Sequence, residues 1–136
     1  MATINCIGVA VMDALSGPLR EYPSRRQRVQ VVTDSVTFIP GGGAVNVAAT
    51  LAQLGHEVAV FTKVGDDANG REIVSALGAV GVDTSCVRVS ASDSTPFTFV
   101  GVHEDGERTF IHTPGANRTF GVGDIEKETL LDCNYL

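Results

Sequence analysis

Three consecutive glycines, Gly41, Gly42 and Gly43, stand between an apolar run at residues 36–39 and an apolar periodicity that begins at Ala44. Glycine lets the backbone take φ > 0 and lets a ligand come close to the main chain. A helix that starts directly after such a turn presents unpaired N–H groups and the positive end of its dipole. Together these would hold an anion or a ligand rich in hydroxyls. Asn46, one turn into that helix, can both donate and accept a hydrogen bond. Upstream, Asp13 closes the apolar run at residues 4–12. A carboxylate at the carboxyl end of a buried strand is placed where open α/β sheets bind their ligands. The competing assignments are a turn or cap aspartate for Asp13 and a tight turn into a closely packed helix for the glycines.

Two other glycine motifs fail. The dinucleotide fingerprint G-x-G-x-x-G requires glycine where the chain has Asn46. The stretch from Gly65 to Gly70 has P-loop spacing, but Arg71 and Glu72 follow where a Lys and a hydroxyl residue are needed.

The elements that would position these residues follow from the apolar pattern. Residues 4–12 read as one strand buried on both faces. Residues 15–34 carry Gly17, Pro18 and Pro23 and the cluster Arg25, Arg26, Arg28, so they read as an excursion, with a short strand over 29–33. The arginines suit a solvated loop, with anion binding as the alternative. Val45, Ala48, Ala49 and Ala52 give helical spacing over 44–54, with Gly55 as the C′ residue. Residues 57–64 form a second buried strand, and Asp66 and Asp67 open a helix over 68–80 that Gly81 ends. This order implies a parallel sheet with right-handed crossovers.

A short strand follows over 84–89. Residues 95–102 and 108–113 flank Glu104-Asp105-Gly106 as a hairpin. Centring that turn on Asp105 sets Thr98 opposite His112 and Val100 opposite Phe110 on one face, with Phe97, Phe99 and Ile111 on the other. Residues 117–123 are irregular, 124–131 suit a short helix with Asp124 as N-cap, and 133–136 begin another strand. A strand that stops there leaves an open sheet edge, which invites pairing with another chain.

The chain has 136 residues, enough for one domain. Its net charge of −6 argues against nucleic acid as the main partner. Cys6, Cys86 and Cys133 are odd in number and widely spaced, which suits reduced thiols in a cytoplasmic protein better than disulfides or zinc. Cys6 and Cys133 lie in apolar runs and read as core residues. No signal peptide and no membrane-spanning run is evident.

Taken together the sequence resembles the ribokinase-like (PfkB-type) carbohydrate kinases. Their N-terminal signature is matched by Gly41, Gly42, Gly43, Ala44, Val45, Asn46, Ala48, Gly55 and Gly65. Gly65-Asp66-Asp67-Ala68-Asn69-Gly70 resembles the family's G-D-D-x-x-G run, and Gly8 with Asp13 its first-strand G-x-x-x-x-D. Glu104 to Thr109 and Pro114-Gly115-Ala116-Asn117 resemble its lid hairpin and the segment after it. The resemblance implies an α/β fold, a parallel sheet flanked by helices, with a small β lid drawn from about 15–39 and 95–113. It also implies ATP-dependent phosphorylation of a sugar or similar alcohol. Asp13 would accept hydrogen bonds from sugar hydroxyls, the Gly41, Gly42 and Gly43 backbone would approach the sugar, and Asn46 would bind another hydroxyl. Thr98 and His112 would face the sugar from the lid.

The family's G-A-G-D motif, which carries its catalytic Asp and nucleotide site, is absent from these residues. The nearest string, Gly121-Val122-Gly123-Asp124, falls too early. The expectation is therefore a substrate-binding part with its C-terminal half absent. ATP and Mg²⁺ would serve the complete enzyme, none would be bound by this chain alone, and the catalytic Asp would lie beyond Leu136. The alternative is a non-catalytic module that binds a sugar or assembles through its open sheet edge. In either case the lid or that edge could support a homodimer.

Overall fold

The computed structural model describes residues 2–19 and 33–136. The arginine cluster and residues 29–32 of the expected short strand lie outside the described residues. Residues 4–12 form two strands, not one. β1 (Thr3–Ile7) stops at Gly8, which has φ 152° and donates its N–H to Phe61 O at 3.1 Å. β2 (Val11–Leu19) resumes in a different sheet. The apolar run carries no polar residue at the break, and only the conformational freedom of Gly8 marks it. Asp13 accordingly lies inside β2 rather than at a strand end.

β3 (Ser35–Gly41) leads through Gly42 into α1 (Gly43–Gln53), which buries Ala44, Val45 and Ala48. Gly55 takes φ 89° beyond the helix end, the left-handed conformation expected of a C′ residue. β4 (Glu57–Gly65), α2 (Ala68–Ala79) and β5 (Val87–Ser90) complete the first sheet in the order β1-β4-β5, with both pairings parallel. Its core gathers Val58, Val60 and Val64 of β4 with Ile73 and Leu77 of α2, none more than 4% exposed. Each such side chain contributes about 1.5–3 kcal/mol through burial.

The strand expected over 133–136 is a single parallel bridge from Tyr135 to Ile4, with Asn5 N–H donating to Tyr135 O at 3.0 Å. Cys6 is buried, but Cys133 is only partly so and donates its thiol to Leu130 O. The helix expected over 124–131 is a 3₁₀ turn, Val122–Asp124, followed by α3 (Lys127–Leu131). Glu126, not Asp124, stands at the N-cap of α3. The Asp124 carboxylate is already taken, by Lys63 Nζ at 3.0 Å and by the Gly121 N–H at 3.0 Å.

β6 (Phe97–His103) and β7 (Arg108–Thr113) form the expected antiparallel hairpin, with Thr98 opposite His112 and Val100 opposite Phe110. A second sheet results, in the order β3-β2-β6-β7, with β2 and β6 parallel. No helix among the described residues is long and apolar enough to cross a membrane.

Carboxylates tie the loops to this frame. Asp67 is the N-cap of α2 and also accepts from the Thr95 side chain and backbone at the root of β6. Asp93 accepts from the Ser90 and Thr119 hydroxyls at 2.9 Å each. Burial pushes the Asp67 carboxyl up, but its bonds from Thr95 and Gly70, with the Arg71 charge, outweigh this and hold it below the usual carboxylate value. The Thr119 and Ser90 hydroxyls lower Asp93, and Lys63 and the Gly121 N–H lower Asp124. A carboxyl depressed in the folded state contributes stability that is fully present above its unfolded value of about 3.9 and is lost as pH falls through the folded value. These three groups should therefore contribute a constant stability from pH 7 to about 4 and a declining one below it. Urea titrations at stepped pH check this: Asp67→Asn should show a shallower acid limb than the wild type, and an unchanged limb would refute the assignment.

Candidate functional site

β2 sets Asp13 between Ile39 of β3 and Thr98 of β6, and Thr98 lies opposite His112 of β7. One row across four strands thus contains Ile39, Asp13, Thr98 and His112, and register partners share a sheet face. The Thr98 hydroxyl lies 3.0 Å from His112 Nδ1. Thr98 is buried and His112 exposed, so a fixed hydroxyl orients an accessible ring. With Nδ1 occupied, Nε2 is the ring nitrogen left for another partner.

Asp13 is half-buried, and its carboxylate accepts no hydrogen bond among the described residues. It lies over Gly41: a Cβ added there would come within 2.6 Å of Asp13 Oδ2. The three glycines are required to different degrees. Gly41 leaves room for the carboxylate. Gly42 is the N-cap of α1 at φ 99°, and a Cβ there would strike Val9 O. Gly43 opens the helix with nothing within 4 Å of an added Cβ.

The first intrahelical bond runs from Asn46 N–H to Gly42 O at 3.0 Å. The N–H groups of Gly43, Ala44 and Val45 precede it and have no helical partner. The Asn46 side chain is exposed and makes no hydrogen bond among the described residues. The structure thus places Asp13, Gly41, Thr98 and His112 together on one sheet, with Gly42, Gly43 and Asn46 in the helical turn that leaves it. Around that corner stand a carboxylate acceptor, backbone donors, an amide and an imidazole. This set suits a ligand with several hydroxyls.

Two contributors went unmarked in the sequence as site-builders. Asn117 Nδ2 donates to Ala10 O at 3.1 Å and pins the link between β1 and β2. Its only signal was its place in the Pro114-Gly115-Ala116-Asn117 segment. Asp67 was legible as a helix start, but its second partner, Thr95, lies 28 positions away and left no local pattern. Among the described residues no group of three His, Cys, Asp or Glu could hold a metal ion.

A parallel sheet flanked by helices, joined to a second, mostly antiparallel sheet, matches the ribokinase-like fold. Residues 1–133 match the pfkB family carbohydrate kinases, and the chain belongs to that family. It is 42% identical over 93 residues to fructokinase-1 of Oryza sativa subsp. japonica, covering 67% of this chain and 29% of that protein. It is 32% identical over 96 residues to the ATP-dependent ribose-1-phosphate kinase of Halopiger xanaduensis, covering 71% of this chain and 32% of that one. The structure of Arabidopsis thaliana ribokinase complexed with ribose and ATP superposes with a TM-score of 0.76 at 26% identity, over 85% of this chain and 36% of that one. The chain therefore spans about a third of the length of these relatives.

The glycine geometry is open to test. Gly42→Ala should cost more than about 1 kcal/mol, because alanine is strained at φ > 0. Gly43→Ala, in open space at the first helical position, should be neutral or stabilising by up to about 1 kcal/mol. Urea unfolding of the two variants compares them directly, and equal losses would contradict the placement of the turn.

Proposed function

We propose that these residues form the acceptor-binding part of an ATP-dependent kinase that phosphorylates a sugar hydroxyl. The observation that carries this is the half-buried Asp13 carboxylate over Gly41, unpaired among the described residues and in line with the Thr98–His112 pair. Asp13 accepts hydrogen bonds from adjacent sugar hydroxyls. The Gly41, Gly42 and Gly43 backbone lies close to the sugar, and Asn46 binds a further hydroxyl. The second sheet acts as a lid that brings Thr98 and His112 to the ligand. Its opposite face carries an apolar row of Phe38, Ala14, Phe99 and Ile111, with Phe38 59% and Ile111 57% exposed. Such a face supports self-association through the lid.

ATP and Mg²⁺ belong to the complete enzyme in this reading, and the described residues do not fit them. The nearest string to the nucleotide motif folds as a 3₁₀ turn whose Asp124 is held by Lys63 and its own Gly121 N–H. A carboxylate so engaged is poorly placed to take a proton from an acceptor hydroxyl. The chemistry therefore rests with residues outside these 136, and the chain alone is inactive.

Two measurements test the proposal. D-fructose and D-ribose titrated calorimetrically into the chain should show binding by at least one of them. Asp13→Asn should weaken that binding about 10- to 100-fold, the loss expected for hydrogen bonds to a charged group. Unchanged affinity in that variant would remove Asp13 from the site. With ATP, Mg²⁺ and either sugar, the purified chain should release no ADP above background, and steady turnover would disprove the inactivity of this part.

A further inference from the structure

The Asp67 carboxylate joins two distant elements. Oδ1 accepts the Gly70 N–H at 2.9 Å, capping α2, and the Thr95 hydroxyl at 2.6 Å. Oδ2 accepts the Thr95 N–H at 2.8 Å. The Thr95 hydroxyl oxygen in turn accepts the Gly65 N–H at 2.9 Å. Thr95 is 1% exposed, and its surroundings admit no extra atom. A Cβ on Gly65 would come within 2.5 Å of Thr95 N, and one on Gly70 within 2.8 Å of Thr95 Oγ1.

What this joint holds is the root of β6. The next residue, Pro96, accepts the Met12 N–H at 2.9 Å, the first rung between β6 and β2. From there the register runs without slip through Met12 with Phe97 and Asp13 with Thr98. Side chains alternate between faces along a strand, so a one-residue slip at Thr95 would turn Thr98 away and bring Phe97 or Phe99 beside Asp13. Asp67 belongs to neither that row nor the glycine turn.

We propose that Asp67 is a positioning residue for the acceptor site: by clamping Thr95 it sets the register of β6 on β2 and so aligns Thr98 and His112 with Asp13. This rests on the acceptor-site reading of that row. A residue that only caps α2 would leave the row unchanged when replaced by another good cap.

Asp67→Asn separates the two roles. Asparagine is as good an N-cap as aspartate and can keep the Gly70 bond. Its amide group would face the Thr95 N–H donor to donor. The readout is the ¹⁵N spectrum of the His112 ring in the full chain, which needs no ligand. In the wild type, the Thr98 hydroxyl should hold one tautomer, with two well-separated nitrogen shifts. In Asp67→Asn these should move toward the tautomer average while the α2 amides stay protected from exchange. Unchanged His112 shifts in a folded Asp67→Asn chain would overturn the proposal. Should that variant not fold, Thr95→Val removes the hydroxyl, and with it the bonds to Asp67 Oδ1 and from the Gly65 N–H, and is read the same way: averaged shifts support the proposal and unchanged shifts overturn it. Thr95→Ser keeps both donors and should restore the wild-type spectrum; failure to do so counts against the clamp. A wild-type chain that binds neither D-fructose nor D-ribose would refute the acceptor-site reading, while the His112 shifts still decide whether Asp67 sets the register.

Discussion

β2 and β6 come from opposite parts of the chain and run parallel, side by side, in the middle of the second sheet. Their outer partners, β3 and β7, each depend on one of them alone. A parallel pair cannot be closed by a tight turn and must be reached through a long connection. Here that connection is most of the first sheet and both of its major helices. The four-stranded sheet therefore exists only because the three-stranded one holds the roots of β2 and β6 at the same level. Asn117 on Ala10, Asp67 on Thr95 and the Met12–Pro96 rung all lie at that level.

Once the register is set, alternation along the strands gives the sheet two different faces. The face containing Asp13 presents a carboxylate, a hydroxyl and an imidazole in one line. The face containing Ala14 presents phenylalanine and isoleucine. Neither face resembles a closed hydrophobic core, and both contain residues that expose much of their surface. The three-stranded sheet is different. Its middle strand, β4, is covered by α1 and α2, and its apolar side chains lose nearly all contact with water. The deepest burial lies in that layer, and the row proposed to bind a ligand lies on the four-stranded sheet.

The sequence was most legible where a periodic pattern or a turn residue acts locally. The α1 stripe, the Gly55 stop, the β4 run and the hairpin about Asp105 all came out at or within a residue or two of their expected places. The pairing of Thr98 with His112 was readable because a hairpin's register follows from its turn. The break at Gly8 was not, because the apolar run passes through it and glycine is also common where no break occurs. Asp124 misled as a cap because its true partner, Lys63, is remote in sequence. Cys133 misled because an apolar neighbourhood in sequence did not become a buried one in space. The pairing of β2 with β6 had no sequence signal of its own.

The parallel pairing also bears on the order in which the protein can form during synthesis. Met12 pairs with Phe97, so β2 leaves the ribosome well before the strand it must lie against. At about 5–20 residues per second, that interval is on the order of ten seconds. Over that time β2 can pair with β3, but its other edge, including the Asp13 and Ala14 backbone, stays unpaired. An open edge bordered by apolar side chains is a template for strands of other molecules. The nascent chain is thus most exposed to mispairing before the hairpin of β6 and β7 has been made, and a chaperone that shields strand edges would act in that window.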